Sequence, residues 1–470
     1  MAFEDSSSAM PSFSSYNDYG ALWGDFNNDG RVDLLYMGHG LGPLMLAQTA
    51  SHKFEDVTGE SGIKDSDWEY KQQRDRHGAS CADFDNDGNI DLFISHGAAK
   101  GETLGVKYDE FLKGKGDFTF TEITRSAGTL NHFGRGRSSV WFDYNKDGWI
   151  DLFVTNVSSN NVMYKNNGDG TFTDVTTEAG LAFGAVHAAP ADFDQDGNID
   201  LLLSWPLRLY RNDGTGKFVA LTKKAFPFRG IQSFGIAWGD ADNDGDLDIF
   251  VSRAHRGNLM LINEDGSFRS LESPAWAVTD DNISTGVAWA DIDNDGLMDI
   301  VNIRSDGYYV YLNDGDLSFS GVRLDIPAPG IRQKRNGDAA LADFNSDGLL
   351  DIATDDPNGL MLLQNTSAPA GSWLQLEFHG TGNNRLGIGN KIWISSQGKL
   401  LAYREHTGTI GNLRSASCNA LHVGFGPIPE VDIRVQWLNG FESVLKNVKV
   451  NQSLIIPDSE SRKQPEAPAF

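Results

Sequence analysis

Short apolar runs alternate with acidic, glycine-marked segments along the first three-quarters of the chain. Gly286-Val-Ala-Trp-Ala stands before one such segment and Ile300-Val-Asn-Ile after it. Apolar runs of this length, bounded by turn-forming residues, predict buried strands. A second mark recurs between the acidic segments, a phenylalanine opening a polar strand end: Phe3, Phe54, Phe120, Phe172, Phe218, Phe268 and Phe319. It is clearest in Phe54-Glu-Asp-Val-Thr and Phe172-Thr-Asp-Val-Thr. Units of roughly 50 residues with four short strands each predict the blades of a propeller. Each phenylalanine precedes its acidic segment by 20 to 29 residues and none follows the last, so Phe3 is expected in the outer strand of the blade around Asp343. From about Asn365 the pattern becomes strand alternation, in Trp373-Leu-Gln-Leu-Glu-Phe, Lys391-Ile-Trp-Ile, Leu421-His-Val-Gly-Phe-Gly and Val431-Asp-Ile-Arg-Val-Gln-Trp. The expected fold is all-β: a seven-bladed β-propeller over 1–365 closed by its N-terminal strand, a small β-rich, sandwich-like domain over 366–458, and a disordered tail over 459–470.

The acidic segments share one pattern, Asp-x-(Asp/Asn)-x-Asp-Gly-x-x-Asp, seven times over, with starts 58, 60, 49, 48, 51 and 52 residues apart. Oxygens at positions 1, 3, 5 and 9, with the carbonyl of position 7, can wrap one hard cation, and calcium accepts this flexible oxygen shell better than magnesium. The expected ligands are Asp25, Asn27, Asp29, Arg31 and Asp33 in the first loop, and Asp83, Asp85, Asp87, Asn89 and Asp91 in the second. The third offers Asp143, Asn145, Asp147, Trp149 and Asp151; the fourth Asp192, Asp194, Asp196, Asn198 and Asp200. The fifth offers Asp240, Asp242, Asp244, Asp246 and Asp248; the sixth Asp291, Asp293, Asp295, Leu297 and Asp299; the seventh Asp343, Asn345, Asp347, Leu349 and Asp351. Up to seven structural calcium ions are expected, each tying a first strand to a second. Position 6 is glycine every time, as a turn with positive φ requires.

The net charge of −26 follows from these loops. At positions 1, 3, 5 and 9, four loops supply four carboxylates and three supply three, 25 of the 65 acidic residues, and the remaining 40 nearly match the 39 Lys and Arg. An acidic interaction tail is therefore not implied, and no basic stretch points to nucleic acid.

The repeats resemble the FG-GAP or VCBS repeats of integrin-α-type propellers, most clearly in Trp238-Gly-Asp-Ala-Asp-Asn-Asp-Gly-Asp-Leu-Asp248. Gly387-Ile-Gly389, Gly424-Phe-Gly426 and Val435-Gln-Trp437-Leu-Asn-Gly440 resemble the ASPIC/UnbV domain that follows such propellers in cartilage-acidic-protein-like and bacterial secreted proteins. The resemblance implies a calcium-stabilised binding protein whose ligand is a glycan, a protein or a small molecule. The alternative is an enzyme, of lyase or of cyclase or alkylating type, in polysaccharide or natural-product chemistry, a reading that rests on the histidines, arginines and longer connections described next.

Strand reversal places the remaining chemistry-bearing residues at the end of the blades away from the acidic loops. His77, His132 and His187 stand just before first strands, and His39, His96 and His255 just after second strands. Arg74, Arg76, Arg135, Arg137, Arg229, Arg253, Arg256, Arg304, Arg332 and Arg335 map to the same end. His77, His96, His132 and His187 on neighbouring blades are candidates for one copper, zinc or iron ion, since imidazole suits all three. Alternatively the arginines hold an anionic or sugar-like substrate while a histidine acts as base. Trp205, Phe133, Phe234 and Tyr308 offer rings for stacking. The alternative for all of them is hydrogen bonding to neighbouring turns. Longer connections near Lys64–Gln73 and Gly97–Tyr108 point to that end too, because loops on a rigid scaffold carry function.

No run of 18 apolar residues is present, which predicts no membrane-spanning helix, and the first ten residues lack the basic and apolar regions of a signal peptide. Weak multi-aspartate sites fill best outside cells, at about 10⁻³ M calcium, which favours an exported protein with its signal removed over the cytoplasmic alternative. The two cysteines, Cys81 and Cys418, read as separate buried thiols and leave the redox compartment open.

Overall fold

The computed structural model describes residues 1–11, 18–38, 43–63, 66–67, 72–73, 75–97, 108–131, 134–181, 183–253, 257–273, 276, 284–326, 338–356, 359–408, 416–418 and 420–458. Its strands form seven sheets of one repeating design, consistent with propeller blades. In sheet three, Gly136–Phe142, Asp151–Asn156, Val162–Asn166 and Phe172–Asp174 pair antiparallel in chain order. Sheets one, two, four, five and six repeat this order, with first strands Asp18–Gly24, Arg76–Ala82, Ala188–Ala191, Ile236–Gly239 and Ser284–Ala290. Sheet seven is Ala339–Ala342, Asp351–Asp356 and Gly359–Asn365, with Phe3–Asp5 as its fourth strand, Phe3 opposite Asn365. First strands of successive sheets lie side by side, and that of sheet one also lies against that of sheet seven.

The expected fold class needs correction. Among the described residues no sheet closes on itself into a barrel: each hydrogen-bonded ladder is open, with its fourth strand at one edge. Neighbouring sheets meet instead through side chains, in clusters such as Phe84, Phe111, Trp141 and Phe172 between sheets two and three. Sheet one has a fifth strand, Ala416–Ser417, which comes from the C-terminal region and runs parallel to Leu22 and Trp23. The second region is therefore built into the first and is not a module that merely follows it. The cysteines show the same thing: Cys81 on the first strand of sheet two and Cys418 form a disulfide, with Cα atoms 6.1 Å apart across 337 residues of sequence. Reading them as separate thiols failed because their sequence distance carries no sign of this fifth strand.

The C-terminal region has two sheets. Trp373–His379 lies between Leu421–Gly424 and Gln452–Pro457, while Lys391–Ser396 lies between Lys399–Glu405 and Glu430–Gln436, with Glu442–Lys449 outermost. Leu374, Leu376, Ile392, Ile394, Ile433 and Val435 from both sheets share one core. The expected tail, 459–470, lies outside the described residues.

Sheets are latched to each other by one repeated hydrogen bond. An asparagine near the end of the third strand donates from Nδ2 to the backbone carbonyl at position 2 of the preceding sheet's aspartate loop. The pairs are Asn166 to Phe84 at 3.0 Å, Asn212 to Tyr144 at 2.8 Å, Asn263 to Phe193 at 2.9 Å, Asn313 to Ala241 at 2.7 Å and Asn365 to Ile292 at 2.9 Å. Gln48 does the same from sheet one to Phe344 of sheet seven, at 2.6 Å. All six side chains are buried. Asn313→Ala should therefore strand a buried carbonyl and lower stability by about 1–3 kcal/mol, read as a drop in the urea midpoint. An unchanged midpoint would show that the latch contributes nothing.

Candidate functional site

Each aspartate loop turns between the first and second strands of its sheet. Two residues per loop adopt positive φ. At position 6 the glycines Gly30, Gly88, Gly148, Gly197, Gly245, Gly296 and Gly348 have φ of 80° to 98°, and at position 4 Asn28, Asn86, Lys146, Gln195, Asn243, Asn294 and Ser346 have φ of 54° to 64°. The turn brings the glycine N–H onto Oδ2 of the position 1 aspartate in all seven loops, at 2.7 to 3.2 Å.

The position 9 aspartates are buried and hold the backbone. Oδ1 of Asp33, Asp91, Asp151, Asp200, Asp248, Asp299 and Asp351 accepts an N–H from the third strand at 2.7 to 2.9 Å. In six of them, all except Asp200, Oδ2 accepts the N–H of position 2 at 2.8 to 3.2 Å. Residues expected only as metal ligands thus also clamp loop to sheet.

Loops two, four, five and six bring carboxylates together. The oxygens of Asp83, Asp85 and Asp91 lie within 4.8 Å of one another, as do those of Asp192, Asp194 and Asp200; Asp240, Asp242 and Asp248; and Asp291, Asp293 and Asp295. These are the loops with aspartate at position 3; loops one, three and seven have Asn27, Asn145 and Asn345 there. Buried oxygens among them have no hydrogen-bond donor: Oδ1 of Asp85, Asp192, Asp194 and Asp240, and Oδ2 of Asp200. Burial, with repulsion from neighbouring carboxylates, pushes Asp83 up to about 6, Asp240 and Asp291 to about 7, Asp248 to about 8 and Asp200 to about 9. Crowded, dry, donor-less carboxylates are costly without a cation. All-oxygen donors on a flexible turn suit calcium, so the residues fit that ion. Third-strand cations already reach some of these groups: Lys113 contacts Asp85 and lies 3.0 Å from Asp87, and Arg211 lies 2.7 Å from Asp194 and 2.8 Å from Asp196.

The described histidines and arginines of the other end are mostly engaged by neighbouring side chains and carbonyls. Arg76 forms a two-pronged pair with Glu110 at 2.6 and 2.9 Å, and His96 Nε2 lies 2.8 Å from the same carboxylate, all three buried. His77 lies between Asp75 at 3.2 Å and Arg137 at 2.8 Å. His187 is buried beside Ser138 Oγ, 3.4 Å away. Arg135 Nε is buried without a partner. Arg304 pairs with Asp306 at 3.0 Å, Arg253 donates to the Gly257 carbonyl, and Arg229 to that of Leu221. Among the described residues, the groups able to hold an ion contain aspartate alone, so no histidine-rich transition-metal site is seen. A buried Glu110 needs a cation, and Arg76 and His96 supply its partners. Tyr308 is buried; Trp205 is 37 % exposed, its ring 4.8 Å from that of Phe234. His39, His132, His255, Arg74, Arg256, Arg332, Arg335 and Phe133 lie outside the described residues, as does most of both long connections.

Sequence reasoning missed the seating of the C-terminal region on the aspartate loops. Lys391 Nζ bonds Asp192 Oδ2 at 2.5 Å, and Glu405 accepts the Asp192 N–H at 3.1 Å. His422 Nε2 lies 2.8 Å from Asn294 Oδ1, Arg385 N donates to Asn86 Oδ1 at 2.9 Å, and Gln375 reaches Asp343 at 3.3 Å. A cleft of about 610 Å³ remains between this region and loops one, two and seven, with Asp25, Asp83, Asp343, Arg385 and His379 on its walls. The acid excess of the repeats reads in the sequence as a demand for bound cations and gives no sign of these contacts.

Comparison with known proteins follows the same division. The model of the FG-GAP-like repeat matches five times, over 83–154, 143–203, 204–251, 242–302 and 293–354. The chain belongs to the FG-GAP-like repeat family. The ASPIC and UnbV model matches 380–464. The FG-GAP-like chain is homologous to cartilage acidic protein 1, with 27% identity over 243 residues to the Xenopus tropicalis protein and 27% over 242 residues to that of Homo sapiens. These matches cover 47% of this chain and 37% and 36% of those proteins, so the chain spans little more than a third of their length. Among solved structures, an Agrocybe aegerita lectin recognising non-reducing terminal N-acetylglucosamine is similar at 16% identity, with a TM-score of 0.47 over 68% of this chain and 85% of that one. The rhamnogalacturonan lyase YesW is similar at 14% identity, with a TM-score of 0.39 over 90% and 76%. Among the described residues no helix is long and apolar enough to cross a membrane.

Two outcomes are expected. Chelation should lower the melting temperature strongly, and unchanged melting in excess chelator would refute structural calcium. Burial holds His187 down at about 3, below its unfolded value of 6.5. The unfolded chain then binds more protons, so the stability His187 supplies is present above pH 6.5 and lost as pH falls towards 3. In calcium, His187→Gln should flatten the decline of stability between pH 6.5 and 4; an identical slope would refute this.

Proposed function

We propose that the protein is a calcium-stabilised binding protein, with one ion at each of the seven aspartate loops, and that it takes its ligand at the end of the sheets away from those loops. The observation that carries this reading is where the C-terminal region makes its contacts: it bonds to loops two, four, six and seven, which points to the opposite end for a ligand. We take 1–365 as the repeat unit and 366–458 as the unit that covers it.

The end away from the loops carries exposed rings among the described residues. Trp205 packs on Phe234, and Phe183, 60 % exposed, lies 5.2 Å beneath the Arg208 guanidinium. Rings standing out of a surface beside a fixed cation suit the apolar face and hydroxyls of a sugar, so a glycan is the ligand class proposed. The Cys81–Cys418 disulfide favours an oxidising compartment, which supports export. Calcium outside cells would then fill the loops without a high-affinity site.

Glycan-array binding in calcium buffer tests the reading. Trp205→Ala is expected to weaken any captured glycan by about tenfold with little change in melting temperature, because the ring is half-exposed. Full binding by the variant, or an array without hits, would refute a glycan surface at Trp205.

A further inference from the structure

A second cavity, of about 110 Å³, lies where strand Lys399–Glu405 of the C-terminal region meets the first strands of sheets four, five and six. Arg404 lines it and is only 6 % exposed. Its Nη1 donates to the Tyr403 carbonyl at 2.8 Å, while Nε and Nη2 have no hydrogen-bond partner. His422 also lines the cavity; its Nε2 is tied to Asn294 and its Nδ1 is unpartnered. Trp238 and Trp289 form an apolar wall, each fixed by a ring N–H to the backbone of the preceding sheet, at 3.1 and 3.2 Å.

A buried guanidinium with two unpartnered nitrogens is a costly arrangement unless an acceptor completes it. The neighbouring acids do not. Glu405 is committed to Tyr403 Oη at 2.7 Å and to the Asp192 N–H, with Lys391 at 3.9 Å. Asp240 and Asp291 influence Arg404 through space without a hydrogen bond, and both are first ligands of aspartate loops, so a bound cation would claim them. Nε and Nη2 together present the planar fork that matches a carboxylate. Water needs roughly 10–15 Å³ of such space, so the cavity has room for a group of several heavy atoms.

We propose that this cavity is a binding site for a small monocarboxylate, its carboxylate on Arg404 Nε and Nη2 and its apolar body against Trp238 and Trp289. The site rests on calcium loading of loops five and six, and is independent of the surface around Trp205. It would tie ligand binding to the seating of the C-terminal region, because the fork comes from that region and the wall from the repeats.

The test uses the full chain at millimolar free calcium, with calcium content measured on the same sample. Acetate and benzoate are titrated calorimetrically against acetamide and benzamide, which match them in shape and lack the charge. At least one acid is expected to bind one-to-one and to raise the melting temperature, with its amide at least tenfold weaker. Arg404→Lys keeps the charge and loses the fork; it should weaken the acid at least tenfold at unchanged calcium content, while Trp205→Ala should leave acid binding intact. Acids that give no heat at tens of millimolar, amides that bind equally well, or an Arg404→Lys protein that binds as tightly would each overturn the site. Should the lysine variant fail to fold, the acid–amide comparison on the unaltered chain decides alone. A protein with full acid binding and no glycan binding would sink the Trp205 surface and leave this site standing.

Discussion

Seven buried aspartates hold the repeat together, and the rest of the structure depends on them. Each position 9 carboxylate, from Asp33 to Asp351, accepts a third-strand N–H, so the loop between strands one and two is fastened to strand three of the same sheet. That fastening fixes the carbonyl at position 2, which receives the latch from the next sheet. A second line of contacts runs between loops: Gln195 donates to the Gly245 carbonyl, Asn243 to that of Gly296 and Asn294 to that of Gly348. Loop geometry and sheet-to-sheet register are therefore one problem. A loosened loop would release its own sheet and the next, which is why an ion bound there bears on the whole repeat.

The same loops create an electrostatic demand that the C-terminal region answers. Carboxylates concentrated at one end raise each other's proton affinity on top of burial. Cations inside the chain approach them: Lys391 at Asp192, Arg385 against Gly88 of loop two, and Arg404 near Asp240 and Asp291. Charge attraction alone would give a loose, salt-sensitive seat. The added strand Ala416–Ser417 and the Cys81–Cys418 disulfide fix it in one register.

What was legible in the sequence is what is local. The nine-residue acidic pattern spells its own turn, since glycine at position 6 and a short polar side chain at most position 4 sites are what two positive φ angles require. The phenylalanine series marks fourth strands because those rings pack between sheets, as Phe172 does against Phe84 and Trp141. The latch asparagines were present as a signal, 12 to 15 residues beyond position 9, but an asparagine two or three residues before a glycine, as at Asn166, Asn212, Asn263 and Asn313, reads first as a turn residue. The fifth strand of sheet one was not legible: two residues, Ala416 and Ser417, carry no periodicity, and their partner strand lies almost 400 residues earlier. The histidines misled for a related reason. Sequence spacing places His96 and His77 at one end of sheet two, but whether such a residue is free depends for His96 on the buried Glu110 and for His77 on Arg137 of the next sheet, and those pairings are tertiary facts.

Covering one end of the repeats has a consequence for how the two regions can work together. A domain held only by the loops could leave them when calcium leaves. The disulfide forbids that, because Cys418 stays tethered to the first strand of sheet two. Without a bound cation, carboxylate repulsion would rise beneath a lid that cannot depart, with Lys391 and Arg211 left as counter-charges at loop four and Arg404 near loops five and six. A bound cation and the C-terminal region would in this sense be two solutions to one charge problem, and the buried position of Arg404 is explained by that problem only in part. Its two unpartnered nitrogens exceed what through-space attraction to Asp240 and Asp291 can satisfy. The geometry that stabilises the seat thus leaves a residual, directional hydrogen-bonding capacity at the junction between the two regions, in a place that neither could form alone.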